Sequence, residues 1–153
     1  MAYNRNPENQ QAKEFDEKVI QIKRVSKKTR GGNKIGFTAL VVIGNKKGKV
    51  GVGLGKANDV SSAVQKAVSN AKKDLKEIKI KEGTIAHEVS SKSGSAVVLL
   101  KPAPVGSGII AGGAVRNVVE LAGIKDISGK MLGSNNEIEN VRCTISALAK
   151  LRA

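Results

Sequence analysis

Residues 49–55 of this 153-residue chain read KVGVGLG, an alternation of apolar side chains with glycine. Because successive side chains of a strand point to opposite faces, Val50, Val52 and Leu54 would share one face and three glycines the other. Glycine inside a strand costs stability unless a helix, another backbone or RNA approaches closely there, although these glycines could also merely accommodate twist. The stretch predicts a strand with one apolar face and one face open to close contact.

Two strands are predicted before this stretch. The first starts at Val19 and carries a bulge at Arg24-Val25, and the second alternates from Ile35 to Ile43 with both faces apolar, as expected of a central strand. Residues 44–48, GNKKG, have the composition of a hairpin turn. An antiparallel arrangement of three strands follows from these signals.

A helix is predicted after the glycine-rich strand, with Asn58 or Asp59 as its N-cap. Its inner face is an apolar stripe at helical spacing, formed by Val60, Ala63, Val64, Ala67, Val68, Ala71 and Leu75. Lys66, Asn70 and Lys73 lie on the opposite face, so this unit is β-β-β-α with a basic exterior. A short strand at residues 78–80 would lead to the next unit.

The second half of the chain predicts a β-α-β-α unit. Its elements, in chain order, are strands at residues 85–89 and 96–100, a break at Pro102 and Pro104, a helix with Val115, Val118, Val119 and Ala122 inward, a stop at Gly123, a short strand at Ile127 and a helix over residues 137–151. The sequence therefore predicts an α+β protein of two small domains, residues 18–82 and 83–153, after a disordered polar tail over residues 1–17.

The charge balance indicates a polyanionic partner. Lys and Arg number 27 against 13 for Asp and Glu, a formal net charge of +14. Self-repulsion of this size destabilises a compact chain unless a partner neutralises it. Only Tyr3, Phe15 and Phe37 are aromatic, which disfavours base stacking on single strands and favours folded RNA. No apolar run reaches the roughly 20 residues of a membrane span, and one His with one Cys cannot form a structural zinc site, so we expect a cytosolic protein without metal or cofactor.

The densest run of positive charge lies between Lys18 and Lys34, where seven basic residues occur and no acidic one. It ends in Arg30-Gly31-Gly32, whose glycines would let the backbone approach a phosphate chain. A run of charge is often only a solvated surface, but we interpret this one as an RNA contact. The predicted RNA-binding residues are Lys23, Arg24, Lys27, Lys28, Arg30, Gly31, Gly32 and Lys34, extended over the second hairpin by Lys46, Lys47, Lys49 and Lys56.

An enzymatic alternative depends on residues 106–111, GSGIIA, which match the dinucleotide-binding pattern G-x-G-x-x-G/A with Asp126 downstream. Two prolines separate the preceding strand from these glycines, and the chain that remains is too short for a doubly wound sheet. A P-loop fails because Val50 and Ala57 occupy the positions of its first glycine and its Ser/Thr. His87 has no accompanying catalytic signature. We therefore predict that the protein is not an enzyme, and a free-standing double-stranded-RNA regulator remains a third hypothesis.

Two stretches together resemble the bacterial small-subunit ribosomal protein five family, and the resemblance covers about residues 19–151. The first runs from GNKIGFTA at residues 32–39 through GKVGVG at residues 48–53 to Asp59-Val60 and Ala63-Val64, and the second is GSGIIAGGAVR at residues 106–116. The family implies an N-terminal domain similar to the double-stranded-RNA-binding fold and a function as a structural constituent of the small ribosomal subunit.

The resemblance also implies specific partners. Both domains would dock on small-subunit ribosomal RNA near the junction of head and body, and the loop at residues 27–33 would reach toward the spectinomycin-binding region. An interface with ribosomal protein four, where changes loosen decoding accuracy, would be formed by Gly106, Gly108, Gly112, Gly113 and Arg116. Ribosomal protein eight and messenger RNA at the entry tunnel are further implied partners, with a cytoplasmic, ribosome-bound location and no homo-oligomer.

Three features depart from the family pattern. Asn33 stands where a basic residue is usual, and Val105 stands where an acidic one is common. The long C-terminal tail of the family is absent after Ala153, so the contacts of that tail are expected to be missing.

Overall fold

The computed structural model describes residues 15–151, which form two four-stranded sheets and three helices. The elements are β1 (Asp16–Thr29), β2 (Gly32–Gly44), β3 (Lys49–Ala57), α1 (Val60–Lys73), β4 (Leu75–Glu77), β5 (Val89–Ser93), β6 (Ala96–Pro102), β7 (Ile109–Ile110), α2 (Gly113–Ala122), β8 (Ile127–Met131) and α3 (Glu137–Ala149). The first sheet has the order β1-β2-β3-β4 and is antiparallel. The second has the order β5-β6-β8-β7, in which only β7 and β8 are parallel. The predicted α+β class with two sheet-containing halves is confirmed.

Helix α1 packs against the face of β3 that carries Gly51, Gly53 and Gly55. A Cβ atom on Gly51 would lie 2.6 Å from the carbonyl oxygen of Ala71, and Cβ atoms on Gly53 and Gly55 would overlap the helix backbone at Ala67 and Ala63. Those three alanines are fully buried. Small residues on both elements let the helix axis lie close to the sheet. The glycines of β3 therefore allow close approach of a helix and do not merely accommodate strand twist.

Helix α1 begins where the sequence predicts. The side chain of Asp59 accepts a hydrogen bond from the amide of Ser62 at 2.8 Å, so Asp59 rather than Asn58 is the N-cap. Hydrogen bonding from the Ser62 side chain and then its amide lowers the pKa of Asp59 below its ordinary value. The cap is therefore ionised at neutral pH.

Helices α2 and α3 lie between the two sheets. The inner face of the second sheet is formed by Ala96, Val98 and Leu100, which are fully buried beside both helices. The other surface of these helices packs on β2 and β3 of the first sheet. The predicted inward residues of α2 are all buried, and Gly123 ends that helix at a φ of +95°. The layers thus follow one another as α1, first sheet, α2 with α3, second sheet.

The larger hydrophobic core belongs to both halves of the chain. It contains Leu40, Val42 and Val50 from the first sheet together with buried residues of α2, α3, β6 and β8. A smaller cluster lies between α1 and the other face of the first sheet. Two small domains were predicted, and two separate cores of that size would each be marginal. In the structure, the second half of the chain instead packs on the apolar face of the first sheet and shields it from water.

Several predicted boundaries are wrong at the start of the chain. The predicted tail lies outside the described residues up to residue 14, but Asp16 and Glu17 already belong to β1, where they pair with Gly44 and Ile43. The bulge lies at Ile20, not at Arg24-Val25. It leaves Ile20 packed against the larger core.

The connection between the halves is also different from its prediction. Strand β4 ends at Glu77, so the strand predicted at residues 78–80 is absent, and the strand predicted at residues 85–89 lies instead at Val89–Ser93. Ile78 and Ile85 were correctly recognised as apolar, but they are buried in the core from irregular backbone. Their hydrophobicity reflects burial of single side chains rather than strand periodicity.

Two predictions about the C-terminal part need smaller corrections. Helix α3 ends at Ala149 rather than Leu151, and Leu151 is buried just after it. Cys143 is fully buried in α3, and its Sγ donates to the carbonyl of Ser91 at 3.0 Å. Pro102 was predicted to follow the strand, but it is the last residue of β6.

Candidate nucleic-acid interface

A two-stranded basic arm, residues 25–36, projects from the first sheet. Pairing between β2 and β3 stops at Phe37 and Ala57, whereas β1 and β2 remain paired to Thr29 and Gly32. The arm therefore extends five residues per strand beyond β3, roughly 17 Å. Arg30 and Gly31 form its turn, which is closed by a hydrogen bond of 2.8 Å from Thr29 Oγ1 to the carbonyl of Gly32. Gly32 has a φ of +127°, a conformation that favours glycine.

Like charges lie opposite each other on this arm. Lys27 is the direct cross-strand partner of Lys34, and their side chains share one face with that of Lys23 at the arm's base. Arg24 and Lys28 lie on the other face. Residues 18–58 contain eleven Lys or Arg and no Asp or Glu. None of the arm's cations forms an ion pair within residues 15–151. Repulsion between Lys27 and Lys34 thus destabilises the arm unless a polyanion compensates it.

A cleft of about 390 Å³ lies where the arm meets β3 and α1. Four lysines line it: Lys27, Lys34, Lys56 and Lys66. The Nζ of Lys66 donates to the carbonyl of Lys56 at 3.4 Å, so the helix and the strand end are joined at this point. The arrangement concentrates positive charge in a concave surface, which raises its potential toward an anion.

A second groove, about 650 Å³ in volume, continues from this cleft along the outer surface of α1. Lys56 and Lys66 line both, and the groove adds Ser62, Gln65, Ser69, Asn70 and Lys73. Hydroxyl, amide and ammonium groups on one surface suit phosphates and 2′-hydroxyls. The predicted RNA-binding residues omitted Lys66 and Lys73, although their seven-residue spacing places them on one helical face with Asn70.

The structure does not bring all the predicted RNA-binding residues together. Lys46, Lys47 and Lys49 lie at the β2–β3 turn, seven residues or roughly 23 Å along β3 from Lys56. The Nζ of Lys46 is 3.5 Å from Asp16 Oδ2, and its amide donates to the carbonyl of Leu121. The expectation of one continuous basic surface is wrong for this turn, which packs against α2 instead. An RNA contact by these three lysines stays a prediction.

The glycine-rich loop before α2 is held by Asp126. The carboxylate of Asp126, which is 7% exposed, accepts a hydrogen bond of 2.9 Å from the amide of Gly108. Gly106 and Gly108 have positive φ values of +92° and +72°. Strand β7 falls inside the G-x-G-x-x-A pattern, so this stretch is not the strand–turn–helix that binds a dinucleotide. Asp126 therefore anchors the loop and does not stand where a ribose would.

The five residues predicted to contact a protein partner surround this loop and the start of α2. A Cβ on Gly106, Gly108 or Gly113 would meet nothing within 4 Å, whereas one on Gly112 would lie 2.5 Å from the terminal methyl of Met131. A side chain at Gly112 would therefore require only the flexible end of Met131 to move. The other three glycines present open backbone, which leaves room for a partner.

Arg116 lies one turn into α2 and pairs with Glu120. Its Nε is 3.1 Å from Glu120 Oε1, and Lys18 of β1 is 3.4 Å from the other carboxylate oxygen. Hydrogen bonding from Arg116, followed by that from Lys18, lowers the pKa of Glu120. All three side chains are more than a third exposed, so the network contributes little to stability. The side chain of Arg116 is 57% exposed and remains accessible to a partner.

Residues 15–151 were also searched for a metal site, a membrane-spanning helix and a catalytic histidine. These residues contain no cluster of three or more His, Cys, Asp or Glu side chains that could hold a metal. None of the helices in this range has the length and hydrophobicity needed to cross a membrane. His87 lies in an exposed bend rather than in the predicted strand, with Nδ1 2.9 Å from the carbonyl oxygen of Glu88.

Comparison with known proteins gives one consistent result. Residues 15–79 match the family model "Ribosomal protein S5, N-terminal domain" and residues 91–153 match "Ribosomal protein S5, C-terminal domain". "Small ribosomal subunit protein uS5" of Campylobacter jejuni is 54% identical over 139 residues, 91% of this chain and 95% of the relative. The protein of the same name from Picosynechococcus sp. is 53% identical over 140 residues, 91% and 81% of the two chains. "Small ribosomal subunit protein uS5c" of Rhodomonas salina is 51% identical over 140 residues, 91% and 83%. The family is structural and not enzymatic, and the chain belongs to it: this is a member of the ribosomal protein S5 family.

Proposed function

We propose that this structural constituent of the small ribosomal subunit binds ribosomal RNA with its basic arm and with the lysine-lined cleft at the arm's base. The observation that carries the proposal is the direct pairing of Lys27 with Lys34 on a ribbon whose cations have no carboxylate partner within residues 15–151. Such a pair is unfavourable in the free protein and becomes favourable when phosphates lie between or against the two ammonium groups.

The RNA-binding residues of the proposal are those that the sequence indicated, with two additions from α1. Residues at the arm are Lys23, Arg24, Lys27, Lys28, Arg30, Gly31, Gly32 and Lys34, residues at the cleft are Lys56 and Lys66, and Lys73 lines the adjoining groove. Lys46, Lys47 and Lys49 form a separate contact at the other end of the sheet. The family resemblance supports a binding place near the junction of head and body.

The protein partners of the proposal follow from the same resemblance. Gly106, Gly108, Gly112, Gly113 and Arg116 would contact ribosomal protein four, and this contact would support decoding accuracy. Open backbone at three of these glycines favours such an interface. Ribosomal protein eight and messenger RNA at the entry tunnel complete the proposed partners of a ribosome-bound protein in the cytoplasm. The proposed domain boundary lies between Glu82 and Gly83.

The proposal is tested by a charge-matched pair of triple variants. Replacing Lys27, Lys34 and Lys56 with Ala should weaken binding to deproteinised small-subunit ribosomal RNA and reduce the slope of log K against log salt by about 3, roughly one per lost phosphate contact. The control replaces Lys76, Lys79 and Lys81, which are exposed and lie away from the cleft. If both variants lower the slope equally, the arm has no special role and the proposal fails.

A further inference from the structure

Asp126 is a buried acidic residue that the proposed function does not use. It is 7% exposed, and it forms no ion pair within residues 15–151. Acidic side chains are seldom buried without a partner, because the removal of a charged or polar group from water is costly. What holds this carboxylate in place is therefore informative about its role.

The partner of this carboxylate is the backbone of Gly108. Asp126 Oδ1 accepts a hydrogen bond of 2.9 Å from the amide of Gly108, and the carbonyl oxygen of Gly108 accepts one of 3.2 Å from the amide of Ile127. Both polar backbone groups of Gly108 are thus bound to two consecutive residues at the beginning of β8. A hydrogen bond that a carboxylate accepts is stronger than one between neutral groups.

Gly108 follows an exposed turn. The amide of Ser107 donates to the carbonyl of Pro104 at 3.1 Å, which closes a four-residue β-turn. Gly106, the third residue of this turn, has a φ of +92°, as a type II turn requires. Val105 is 86% exposed at the tip. The turn is therefore held in place by the residues that flank it and not by burial of its own side chains.

The connection between the two halves of the chain supports the same turn. The carbonyl oxygen of Gly83 accepts hydrogen bonds from the amides of Lys125 and Asp126, at 2.7 and 3.0 Å. Next to it, Thr84 Oγ1 accepts one of 3.3 Å from the amide of Ala103, which precedes the turn. The turn is consequently held at both of its ends, and Asp126 contributes a side-chain bond to one of them.

We propose that Asp126 is a positioning residue for the protein-partner contact of the glycine-rich loop: it holds Gly108 so that the loop keeps one shape before the partner binds. The inference rests on the proposed function, because it takes the open backbone at Gly106 and Gly108 to be the surface that a protein partner meets. Two glycines at positive φ give the loop freedom that binding would have to remove. A loop that is already fixed loses less conformational entropy and binds more tightly.

The chemistry of the bond defines which substitutions test the proposal. Asp126→Asn keeps an acceptor oxygen in the position of Oδ1 while it removes the charge. Asp126→Ala removes the acceptor, and Asp126→Ser, whose side chain is shorter, withdraws it from the amide of Gly108. Asp74→Ala is the matched control, because it removes an exposed carboxylate at the end of α1 and changes the net charge equally.

Mobility of the turn is the first measurement on the full chain. A nitroxide label can be attached at its tip in Val105→Cys, since the natural Cys143 is fully buried and does not compete for the reagent. Added to this labelled chain, Asp126→Ala and Asp126→Ser should increase the mobility of the label in the folded protein. Asp126→Asn and Asp74→Ala should leave it close to that of the unaltered residue. A label that is equally restricted in every variant would overturn the inference.

Affinity for purified ribosomal protein four is the second measurement, made with unlabelled chains. Asp126→Ala and Asp126→Ser should bind about tenfold more weakly, a loss expected for one hydrogen bond to a charged group. Asp126→Asn should bind within about threefold of the unaltered chain, because it restores the acceptor. A purely structural role would lower the free energy of unfolding in urea and leave the affinity of the folded protein unchanged.

The outcomes separate this inference from the proposed function. Unchanged affinity in Asp126→Ala, or an equal loss in Asp126→Asn, would contradict positioning through the hydrogen bond. Arg116→Ala tests the proposed interface itself. If Arg116→Ala weakens binding and Asp126→Ala does not, only the inference fails. If neither variant weakens binding, the interface is wrong and both fail.

Discussion

Gly53 illustrates how single residues set the spacing between α1 and the first sheet. A Cβ at this position would overlap the backbone carbonyl of Ala67, and a backbone group cannot move aside as the end of a flexible side chain can. Ala67 itself is fully buried, so the helix has no free space to shift into. Gly53 is required because the helix backbone lies so close to it, and not because its φ is one that only glycine adopts.

Replacing Gly53 with Ala should therefore lower the free energy of unfolding by about 3 kcal/mol, the upper part of the range for overpacking. Gly31→Ala is the matched control, because a Cβ at the arm's turn would meet nothing within 4 Å. Urea denaturation of the two variants measures the difference. Equal stability of both would show that α1 can move away from β3 at little cost.

The basic arm, as an element, has low local stability for reasons of charge and exposure. Its two strands are held by backbone pairing and by few apolar contacts, since Ile35 is 42% exposed and the arm lies beyond β3. Lys27 and Lys34 repel each other across the pair. The local stability of the arm and its affinity for RNA should consequently respond in opposite directions to a change of charge.

Lys27→Glu should stabilise the free protein by about 0.5 kcal/mol at low salt, because an attractive cross-strand pair replaces a repulsive one. The same variant should bind ribosomal RNA more weakly. Lys28→Glu serves as its control, since Lys28 lies opposite the neutral Asn33 and should gain less stability. Thermal unfolding at low and high salt measures the gain, which should diminish as salt screens the charges. A loss of stability in Lys27→Glu would contradict this account of the arm.

At the scale of the whole molecule, the two halves share one core and should unfold together. Val42 of β2 is fully buried in the same cluster as residues of α2, α3 and β6. The first sheet alone would expose this apolar face to water. Cooperative unfolding follows when removal of one half leaves the other with an unburied core.

Val42→Ala should lower the global free energy of unfolding by about 2 kcal/mol and reduce amide-exchange protection equally in β2 and in β6. Val60→Ala is the comparison, because Val60 is 38% exposed on α1 and its truncation should cost little. Protection that falls in β2 while it stays unchanged in β6 would indicate two independently folding units.

The sequence by itself determined the class of the fold and most of its elements, and it indicated the chemistry of the expected partner. Alternation and helical spacing are local signals, so β2, β3, α1 and α2 could be read from neighbouring residues, as could the Asp59 cap and the Gly123 stop. Net charge and the shortage of aromatic residues are sums over the chain, and they indicated a phosphate-rich, folded partner without any coordinates.

Only the tertiary structure decided which lysines lie close together and which element packs against the glycines of β3. Lys56 and Lys49 are seven residues apart in the sequence, but β3 places them at opposite ends of a sheet, while Lys66 joins Lys56 because α1 folds back over the strand. The burial of Ile78 and Ile85 likewise depends on residues far away in the chain. Burial and electrostatic potential are determined by distances in space, and those distances arise only when the helices pack between the two sheets.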